Sequence, residues 1–413
     1  MSPNISGKVV KTVKSLFGKE PAQKKAEKYH FDLYGRYPIA LVKGKGTKVW
    51  DDENNMYLDA LAGIAVNSLG HSHPRIVKAI QKQAEKLIHV SNFYYNYPQS
   101  DLAEKLVKLS ELDRIFFCNS GAEAVEGSIK LARRYSYKKG KTGVIISMEN
   151  SFHGRTLGTI AMGKPKYREG YDPIPSGFRS VPMNDVAALE EAVDSNTVGM
   201  ILEPVQGEGG IVPCSAEYMK AARKLCNQHD IPLILDEVQC GIARTGHWFA
   251  YQHYGIRPDI IAMAKALGSG FPIGAVAAKE EISKAFDHGS HGTTYGGNPL
   301  ACAAALETLR VMEDEEICEK ARVRGEYVMR RLGDLSTNWN AIKDVRGRGL
   351  MIGVELAFPG GDVVNEMLKR GVLSNCASGN VIRLVPPLNI EKDEIDRVID
   401  VLVESIKEVE QHA

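Results

Sequence analysis

Leu233-Ile234-Leu235-Asp236-Glu237-Val238-Gln239 is an apolar run that ends in charged and polar residues, and the runs of this kind decide the fold. Between them lie longer segments with helical periodicity, such as Ala122–Tyr137 and Ala216–Gln228. Continuous apolar strands separated by helices indicate a mainly parallel sheet covered on both faces, and therefore an α/β fold. The predicted strands are Ile115–Cys118, Val144–Met148, Met200–Leu202, Leu233–Leu235, Ile260–Met263 and Ala275–Ala278.

The regions on either side of this sheet have a different pattern. After about Glu315, a long charged helix (Cys318–Leu335), shorter apolar runs and a final helix indicate a small α+β lobe. Three short runs before residue 60 form a hairpin-like stretch, which we assign to the same lobe. A chain of 413 residues also favours more than one domain. We expect an N-terminal segment of the small domain at residues 1–60, a large domain at 61–314 and a C-terminal small domain at 315–413.

Composition and charge narrow the classes of function. The 52 basic and 51 acidic residues nearly balance, which removes the electrostatic argument for a nucleic-acid or membrane partner. Seven scattered cysteines without a C-x-x-C pair indicate free thiols and a cytoplasmic location, and they give no zinc pattern. The histidines form loose pairs that no carboxylate or cysteine completes into a metal site. Residues 1–17 predict a short basic amphipathic helix that packs as a surface extension.

Two charged residues at the ends of apolar runs are candidate catalytic groups. Lys265 ends the run Ile260–Met263 in a segment with no other charge between Asp259 and Lys279. A buried lysine is rare without a function, and desolvation favours the neutral amine that can attack an aldehyde. Asp236 ends the neighbouring run, and a carboxylate there requires a positive partner such as a protonated pyridine nitrogen. The structural alternatives are a strand-end lysine that reaches solvent and an aspartate that caps the next element.

Three further stretches offer binding groups. Ser120-Gly121-Ala122 follows a strand and opens a helix, so its backbone N–H groups suit a phosphate, although such junctions are also common for structural reasons. Phe152 could stack on a planar cofactor, and Arg155 could bind a carboxylate. The stretch 380–387 places a lone arginine, Arg383, in an apolar strand, where it requires either a substrate anion or a structural salt bridge.

Taken together, these motifs resemble the class III (ω-type) aminotransferases, which are pyridoxal 5′-phosphate (PLP) enzymes of fold type I. The resemblance runs from about Tyr29 to Ile406, and five motifs occur in the family's order. It implies a large domain with a mainly parallel seven-stranded sheet covered by helices, a smaller α+β domain, PLP as cofactor, and an amino donor and a 2-oxo acid as substrates. It also implies a homodimer with shared active sites.

On the matching positions, the resemblance implies that Lys265 forms the Schiff base and shuttles protons. Asp236 would pair with the pyridine nitrogen, Gln239 would hydrogen-bond the phenolic oxygen of the ring, and Phe152 would stack on the ring. The phosphate would be held by Ser120, Gly121, Ala122 and, from the other subunit, Thr294.

Within the family, the chain is most similar to the acetylornithine aminotransferases, through the stretches 152–155, 203–208, 375–376 and 380–384. This similarity implies that Arg155 binds a carboxylate of the ω-amino donor or the side-chain carboxylate of glutamate. Arg383 would bind the α-carboxylate of glutamate or 2-oxoglutarate, and Glu208 would shield Arg383 by pairing with it. The implied reaction converts N-acetylornithine and 2-oxoglutarate to N-acetylglutamate 5-semialdehyde and glutamate.

Several alternatives stay open at this point. Val125 replaces an asparagine that is usual in the acetylornithine enzymes, and Tyr97 replaces a glutamate, so we expect both positions to tune the pocket. Ornithine, succinylornithine and 4-aminobutyrate are the alternative donors. A non-catalytic PLP-binding homologue is the alternative of another class, and the presence of both Lys265 and Asp236 argues against it.

Overall fold

The computed structural model describes residues 21–412, so the helix expected within residues 1–17 lies outside the described part. The strands are β1 (Leu41–Lys45), β2 (Lys48–Asp51), β3 (Met56–Asp59), β4 (Arg114–Cys118), β5 (Val144–Met148), β6 (Phe178–Val181), β7 (Thr197–Leu202), β8 (Val205–Gln206), β9 (Val212–Pro213), β10 (Leu233–Asp236), β11 (Ile260–Met263), β12 (Gly274–Ala278), β13 (Ile342–Arg348), β14 (Met351–Leu356), β15 (Val372–Leu373), β16 (Asn375–Ala377) and β17 (Val381–Leu384).

The helices, in chain order, are α1 (Ala22–Tyr29), α2 (Ala62–Ala65), α3 (Pro74–Ala84), α4 (Tyr97–Ser110), α5 (Gly121–Lys138), α6 (Leu157–Ile160), α7 (Val186–Ala192), α8 (Ala216–His229), α9 (Glu280–Ser283), α10 (Pro299–Asp314), α11 (Ile317–Asn338), α12 (Gly361–Lys369) and α13 (Lys392–His412). Short 3₁₀ turns occur at Pro165–Tyr167, Ala250–Tyr254 and Lys265–Gly268. Within residues 21–412, no helix has both the length and the apolar character needed to cross a membrane.

The central sheet has seven strands in the order β4-β12-β11-β10-β7-β5-β6. Only β12 runs antiparallel to its neighbours, so the predicted mainly parallel α/β sheet is confirmed. Along β10, Leu233 and Leu235 belong to one hydrophobic core and Ile234 belongs to another. Apolar residues on both faces of the strands therefore bury the sheet between two layers.

Two smaller sheets contain the remaining long strands. One has the order β13-β14-β17-β16 and belongs entirely to the C-terminal part of the chain. The other has the order β1-β2-β3-β15, because Val372 and Leu373 pair in parallel with Leu58 and Asp59. The N-terminal hairpin is thus hydrogen-bonded to the C-terminal part, as our assignment of both to one small domain requires, although the domain boundaries stay a prediction.

The strand directions determine where a site can form. The parallel strands β4, β5, β7, β10 and β11 end at one edge of the sheet, and the loops that follow them meet there. In open α/β sheets, ligands bind outside the carboxyl ends of the strands. The predicted catalytic residues Asp236 and Lys265 end or follow β10 and β11, which are neighbours in the sheet.

Candidate active site

A cavity of about 440 Å³ opens at the carboxyl edge of the central sheet. Its wall includes residues from the loops after five parallel strands, together with Val66 and the segment 270–273. The lining residues are Val66, Asn119, Ser120, Gly121, Ala122, Phe152, His153, Gly154, Arg155, Glu203, Asp236, Val238, Gln239, Ala264, Lys265, Gly270, Phe271, Pro272 and Ile273.

Asp236 is the last residue of β10 and only 4% of it is exposed. Its Oδ1 accepts a hydrogen bond from the backbone N–H of Val238 at 3.0 Å, and its Oδ2 lies 2.7 Å from Nδ1 of His153. Both side chains of the second pair are buried. Burial lowers the pKa of His153, but the hydrogen bond and charge of Asp236 outweigh this effect and the pKa is raised. His153 thus gives the buried Asp236 carboxylate a hydrogen-bond partner within the protein.

Glu203 adds a second buried carboxyl group to this cluster. Its Oε1 accepts from the N–H of Phe152 at 2.9 Å, and its Oε2 accepts from the N–H of Gly207 at 3.0 Å. Burial raises the pKa of Glu203 to about 7, the charge of His153 opposes the rise, and Asp236 reinforces it. The floor of the cavity thus contains two buried carboxyl groups and a buried imidazole.

Lys265 lies next to Asp236 in the cavity wall, and it is partly accessible from the cavity. Burial lowers the pKa of its ammonium group; the charge of Asp236 opposes the shift and the charge of Arg383 reinforces it. The backbone of Lys265 has a φ of +39°, in the left-handed region that non-glycine residues rarely adopt. A lysine with a lowered pKa is more readily available as the neutral amine that covalent chemistry needs.

The loop after β4 has the geometry of an anion cradle. Ser120 is the N-cap of α5, and its hydroxyl accepts from the N–H of Glu123 at 3.2 Å. Gly121 and Ala122 then begin an 18-residue helix, where the first N–H groups have no partner within the helix and the dipole favours an anion. A Cβ at Gly121 would lie 2.7 Å from Cγ1 of Val238, so any larger residue there would require Val238 or the loop to shift.

Phe152 and Arg155 follow β5 and lie on the cavity wall. The Arg155 guanidinium lies 5.6 Å from the ring centre of Phe152 and 4.1 Å from that of Tyr167. Phe152 and Tyr167 pack edge to face, with their ring centres 5.8 Å apart. Stacking on these rings holds a cation beside a planar aromatic surface at the cavity mouth.

Arg383 lies beside this cavity but does not form its wall. It is 1% exposed on β17, its Nη1 donates to Glu208 Oε1, and the same nitrogen lies 3.4 Å from Oε1 of Gln239, which does line the cavity. Its Nε donates to Oδ1 of Asn375 at 3.0 Å. Glu208 lies on the turn between β8 and β9, and its carbonyl accepts from Lys164.

The structure therefore brings together nearly all the site residues that the sequence predicts. Thr294 is the exception, because it is exposed on the loop before α10 and does not line the cavity. Val125 and Tyr97 do not line the cavity either: Val125 is buried in the second core, and Tyr97 is 85% exposed at the start of α4. Within one chain, our expectation that these two residues tune the pocket finds no contact to support it.

Sequence reasoning missed the roles of His153, Glu203 and Asn375, although all three lie in stretches that we quoted for the family resemblance. Glu203 directly follows the apolar strand β7 and Asn375 begins β16, whereas His153 lies in the loop five residues after β5 and has no such signal. Among residues 21–412, no cluster of three or more histidine, cysteine, aspartate or glutamate side chains could hold a metal ion. His71 and His73 instead pair with Asp59 and Glu315.

The side chains around the cavity match the chemical groups of PLP. The cavity combines an amine of lowered pKa at Lys265, a buried carboxylate at Asp236, an aromatic ring at Phe152 and a glycine-dependent anion cradle at Gly121. These groups suit, in turn, an aldehyde, a pyridinium nitrogen, an aromatic ring and a phosphate. The fold and the site thus define an α/β PLP-dependent transferase.

The chain belongs to the class-III aminotransferases, because the family model described as aminotransferase class-III matches residues 33–406. The acetylornithine aminotransferase of Methanocaldococcus jannaschii is 55% identical over 93% of this chain and 98% of its own length. The acetylornithine aminotransferase of Caldanaerobacter subterraneus is 50% identical over the same shares.

Solved structures give the same family. The ornithine aminotransferase from Toxoplasma gondii matches with a TM-score of 0.91 at 35% identity and covers 94% of both chains. The acetylornithine aminotransferase from Elizabethkingia anophelis matches with a TM-score of 0.83 at 36% identity, over 94% of this chain and 98% of its own. The predicted family and fold class are therefore confirmed.

Proposed function

We propose that this class-III aminotransferase transfers the terminal amino group of N-acetylornithine to 2-oxoglutarate, giving N-acetylglutamate 5-semialdehyde and glutamate, a step of arginine metabolism. Relatives named acetylornithine aminotransferase, at 50–55% identity over nearly the whole chain, support the donor. The observation that carries the proposal is the Arg383–Glu208 pair beside a cavity whose wall also holds Arg155. Arg155 and Arg383 give such a pocket two cationic groups for a substrate with two carboxylates. Glu208 can mask one of these cations, Arg383.

When bound, PLP supplies an aldehyde that combines with amines and a ring that withdraws electrons. Lys265 would hold the cofactor through its Nζ and, once the substrate amine has displaced it, would act as the base that moves a proton at the amine-bearing carbon. Asp236, which is hydrogen-bonded to His153 and the Val238 N–H, would hold a proton on the ring nitrogen. Gln239 would donate to the phenolic oxygen, and Phe152 would stack on the ring.

The two arginines would divide the substrates between them. Arg155 would bind the carboxylate of N-acetylornithine, or the side-chain carboxylate of glutamate. With N-acetylornithine bound, Glu208 would neutralise Arg383. With glutamate or 2-oxoglutarate bound, the Glu208 side chain would move away and Arg383 would bind the α-carboxylate. Because 27% of the Glu208 side chain is exposed and only 1% of that of Arg383, the glutamate is the partner with room to move.

The active form would be a homodimer. Large aromatic side chains that a single chain leaves in water include Phe93, which is 91% exposed, Tyr97 and Tyr295. Phe93 and Tyr97 follow Asn92, and Tyr295 lies on the loop of Thr294. The two segments are in contact, since Asn92 donates to the carbonyls of Thr293 and Gly296. Exposed apolar surface of this kind marks an interaction site. A second copy would cover it and would bring Thr294 to the phosphate of the neighbouring site.

The remaining predictions rest on composition. The balanced charge gives no support to a nucleic-acid or membrane partner. All seven cysteines are free thiols, and five of them are buried, which supports the cytoplasm as the location.

The donor is tested by single-turnover measurements on the purified, PLP-loaded protein. N-acetylornithine, succinylornithine, ornithine, 4-aminobutyrate and glutamate are added separately, and the rate at which the absorption band of the bound cofactor is lost is ranked. The proposal expects N-acetylornithine to react fastest among the ω-amines, with glutamate also competent. A clear preference for ornithine would favour the second candidate, ornithine transamination, which the fit to the Toxoplasma gondii enzyme supports.

The role of Lys265 is tested by Lys265→Ala. Turnover should be lost, while the protein should still bind pyridoxamine phosphate, because the phosphate cradle and Asp236 are unchanged. Lys279→Ala is a suitable control, since Lys279 is a strand-end lysine that pairs with Asp259 away from the cavity. Full activity of Lys265→Ala would overturn the mechanism, whatever the donor.

A further inference from the structure

The Arg383 guanidinium has three acceptors, and they differ in charge and mobility. Glu208 is charged and partly exposed, whereas Asn375 and Gln239 are neutral. Asn375 and Arg383 are directly opposite each other on the antiparallel strands β16 and β17, so their side chains share one face of the sheet. Oδ1 of Asn375 therefore meets Nε of Arg383 at 3.0 Å through a contact between two paired strands.

The main chain at Glu208 is held by hydrogen bonds that do not involve its carboxylate. The Glu208 carbonyl accepts from Nζ of Lys164 at 3.1 Å and from Oγ of Ser378 at 3.0 Å. Arg346 Nε donates to the carbonyls of Gly210 and Ile211 in the same turn. Because the backbone is anchored from three side chains, the carboxylate can leave Arg383 by rotation of the Glu208 side chain alone.

When Glu208 leaves, the buried guanidinium loses its charged partner and keeps only the neutral ones. The Gln239 contact is long, at 3.4 Å, so Asn375 provides the shorter remaining hydrogen bond. A neutral acceptor fixes the direction of the guanidinium but leaves its charge for an incoming carboxylate. An anionic acceptor in the same place would compete with that carboxylate.

We propose that Asn375 is a positioning residue for Arg383: its side-chain oxygen keeps the guanidinium aimed at the substrate carboxylate during the half-reaction with glutamate or 2-oxoglutarate. The inference rests on the proposed role of Arg383, and it adds a requirement that the residue at 375 be a neutral acceptor. Asn375 would act only through Arg383, and it would have little effect on the half-reaction in which Glu208 masks that arginine.

The test compares Asn375→Asp and Asn375→Leu, which keep the size of the side chain and change either its charge or its ability to accept. Asn365→Asp is the charge control, because Asn365 is exposed on α12. Each PLP-loaded protein is assayed for the glutamate half-reaction and for the half-reaction of whichever ω-amine the unaltered enzyme prefers. Calorimetry with glutarate, a dicarboxylate that cannot react, gives a binding constant independent of turnover.

For Asn375→Leu, KM for glutamate and Kd for glutarate should rise about tenfold, as for the loss of one hydrogen bond to a charged group. For Asn375→Asp, both should also rise about tenfold, because the new carboxylate competes with the substrate carboxylate for Arg383. The ω-amine half-reaction and the PLP content should change less than about twofold in the same assays, as expected for a contact that affects substrate binding only when Arg383 binds the substrate carboxylate. Equal losses in both half-reactions, or an unchanged glutarate Kd, would overturn the inference. If the leucine variant does not fold, the aspartate variant decides in the same way. Failure of N-acetylornithine as donor would refute the proposed function alone, since the glutamate measurements do not use it.

Discussion

Removal of the His153 imidazole should lower activity by removing a hydrogen bond to the Asp236 carboxylate. The change His153→Leu places an apolar side chain of similar size at this buried position. It removes the 2.7 Å contact between Nδ1 of His153 and Oδ2 of Asp236. Asp236 is 4% exposed, and among residues 21–412 the Val238 N–H, at 3.0 Å, is the donor that its carboxylate would keep. A hydrogen bond to a charged group contributes about 1.5–3 kcal/mol, which corresponds to about 10- to 100-fold in an equilibrium or a rate.

The matched control is His153→Asn, because the asparagine Nδ2 occupies a position close to that of the imidazole Nδ1 and can donate to the same carboxylate. We expect kcat/KM to fall about 10- to 100-fold in the leucine variant and to recover partly in the asparagine variant. The PLP dissociation constant, measured by equilibrium dialysis, should be lowest in the unaltered enzyme, higher in the asparagine variant and highest in the leucine variant. If the leucine variant folds and retains kcat/KM within about twofold of the unaltered enzyme, the argument that activity depends on the hydrogen bond from His153 to Asp236 is wrong.

Three further changes test the packing and the buried charges. Gly325→Ala should lower the unfolding free energy by about 1–3 kcal/mol, because its Cβ would lie 2.2 Å from a backbone oxygen of the β13–β14 turn. Gly333→Ala on the same helix is the control: its Cβ would have no atom within 4 Å, and it should raise the unfolding free energy by up to about 1 kcal/mol. Gly121→Ala should weaken PLP binding about tenfold through its 2.7 Å contact with Val238, as a misplaced phosphate cradle would. Burial raises the pKa of Glu237 to about 7, so the unaltered protein should lose stability as pH rises from 4.5 to about 7. Glu237→Gln should abolish this pH-dependent loss.

The measurements for these changes are direct. Denaturant unfolding compares the two glycine variants of α11, and equal effects of both would contradict the packing argument. Equilibrium dialysis measures PLP affinity for Gly121→Ala, with Gly361→Ala as a control because a Cβ there meets nothing within 4 Å. For Glu237, a carboxyl group with a raised folded pKa binds more protons in the folded state, so folding weakens as pH rises through this window. Relative to the unaltered protein, the glutamine variant should therefore gain stability from pH 5 to pH 8, and a constant difference across that range would refute the sign.

The sequence predicted the central sheet well because most of its strands are buried on both faces. Runs such as Ile260–Met263 contain only apolar residues, and their bounds in the structure are the predicted ones. The prediction missed β6, Phe178–Val181, because it is the edge strand of the sheet, and its polar residues Arg179 and Ser180 interrupt the apolar run. The polar edge strand β13 gives no continuous apolar run for the same reason.

The residues of the candidate site also fall into those that the sequence could predict and those that it could not. Residues at the carboxyl ends of strands could be found because the ends of parallel strands meet at one edge, which brings Asp236 and Lys265 together whatever the details of packing. Contacts that depend on register could not be found. His153 reaches Asp236 from a loop two strands away in the sheet, and Asn375 meets Arg383 only because β16 and β17 pair in one particular register.

Backbone strain at the cavity wall is a further feature that the sequence conceals. The turn α2 is left-handed throughout, with φ of +65° at the β-branched residue Ile64, a conformation that costs about 1–2 kcal/mol per non-glycine residue. Oδ1 of Asp59 accepts from the N–H groups of Leu61 and Ala62 at 2.9 and 2.7 Å, which fixes the entry to the turn. The turn then delivers Val66 to the cavity wall. The Asp59 carboxylate on β3 thus stabilises a backbone conformation that the turn residues themselves disfavour. Neither the conformational propensity of these residues nor the apolar pattern around them could therefore have predicted the shape of this part of the cavity wall.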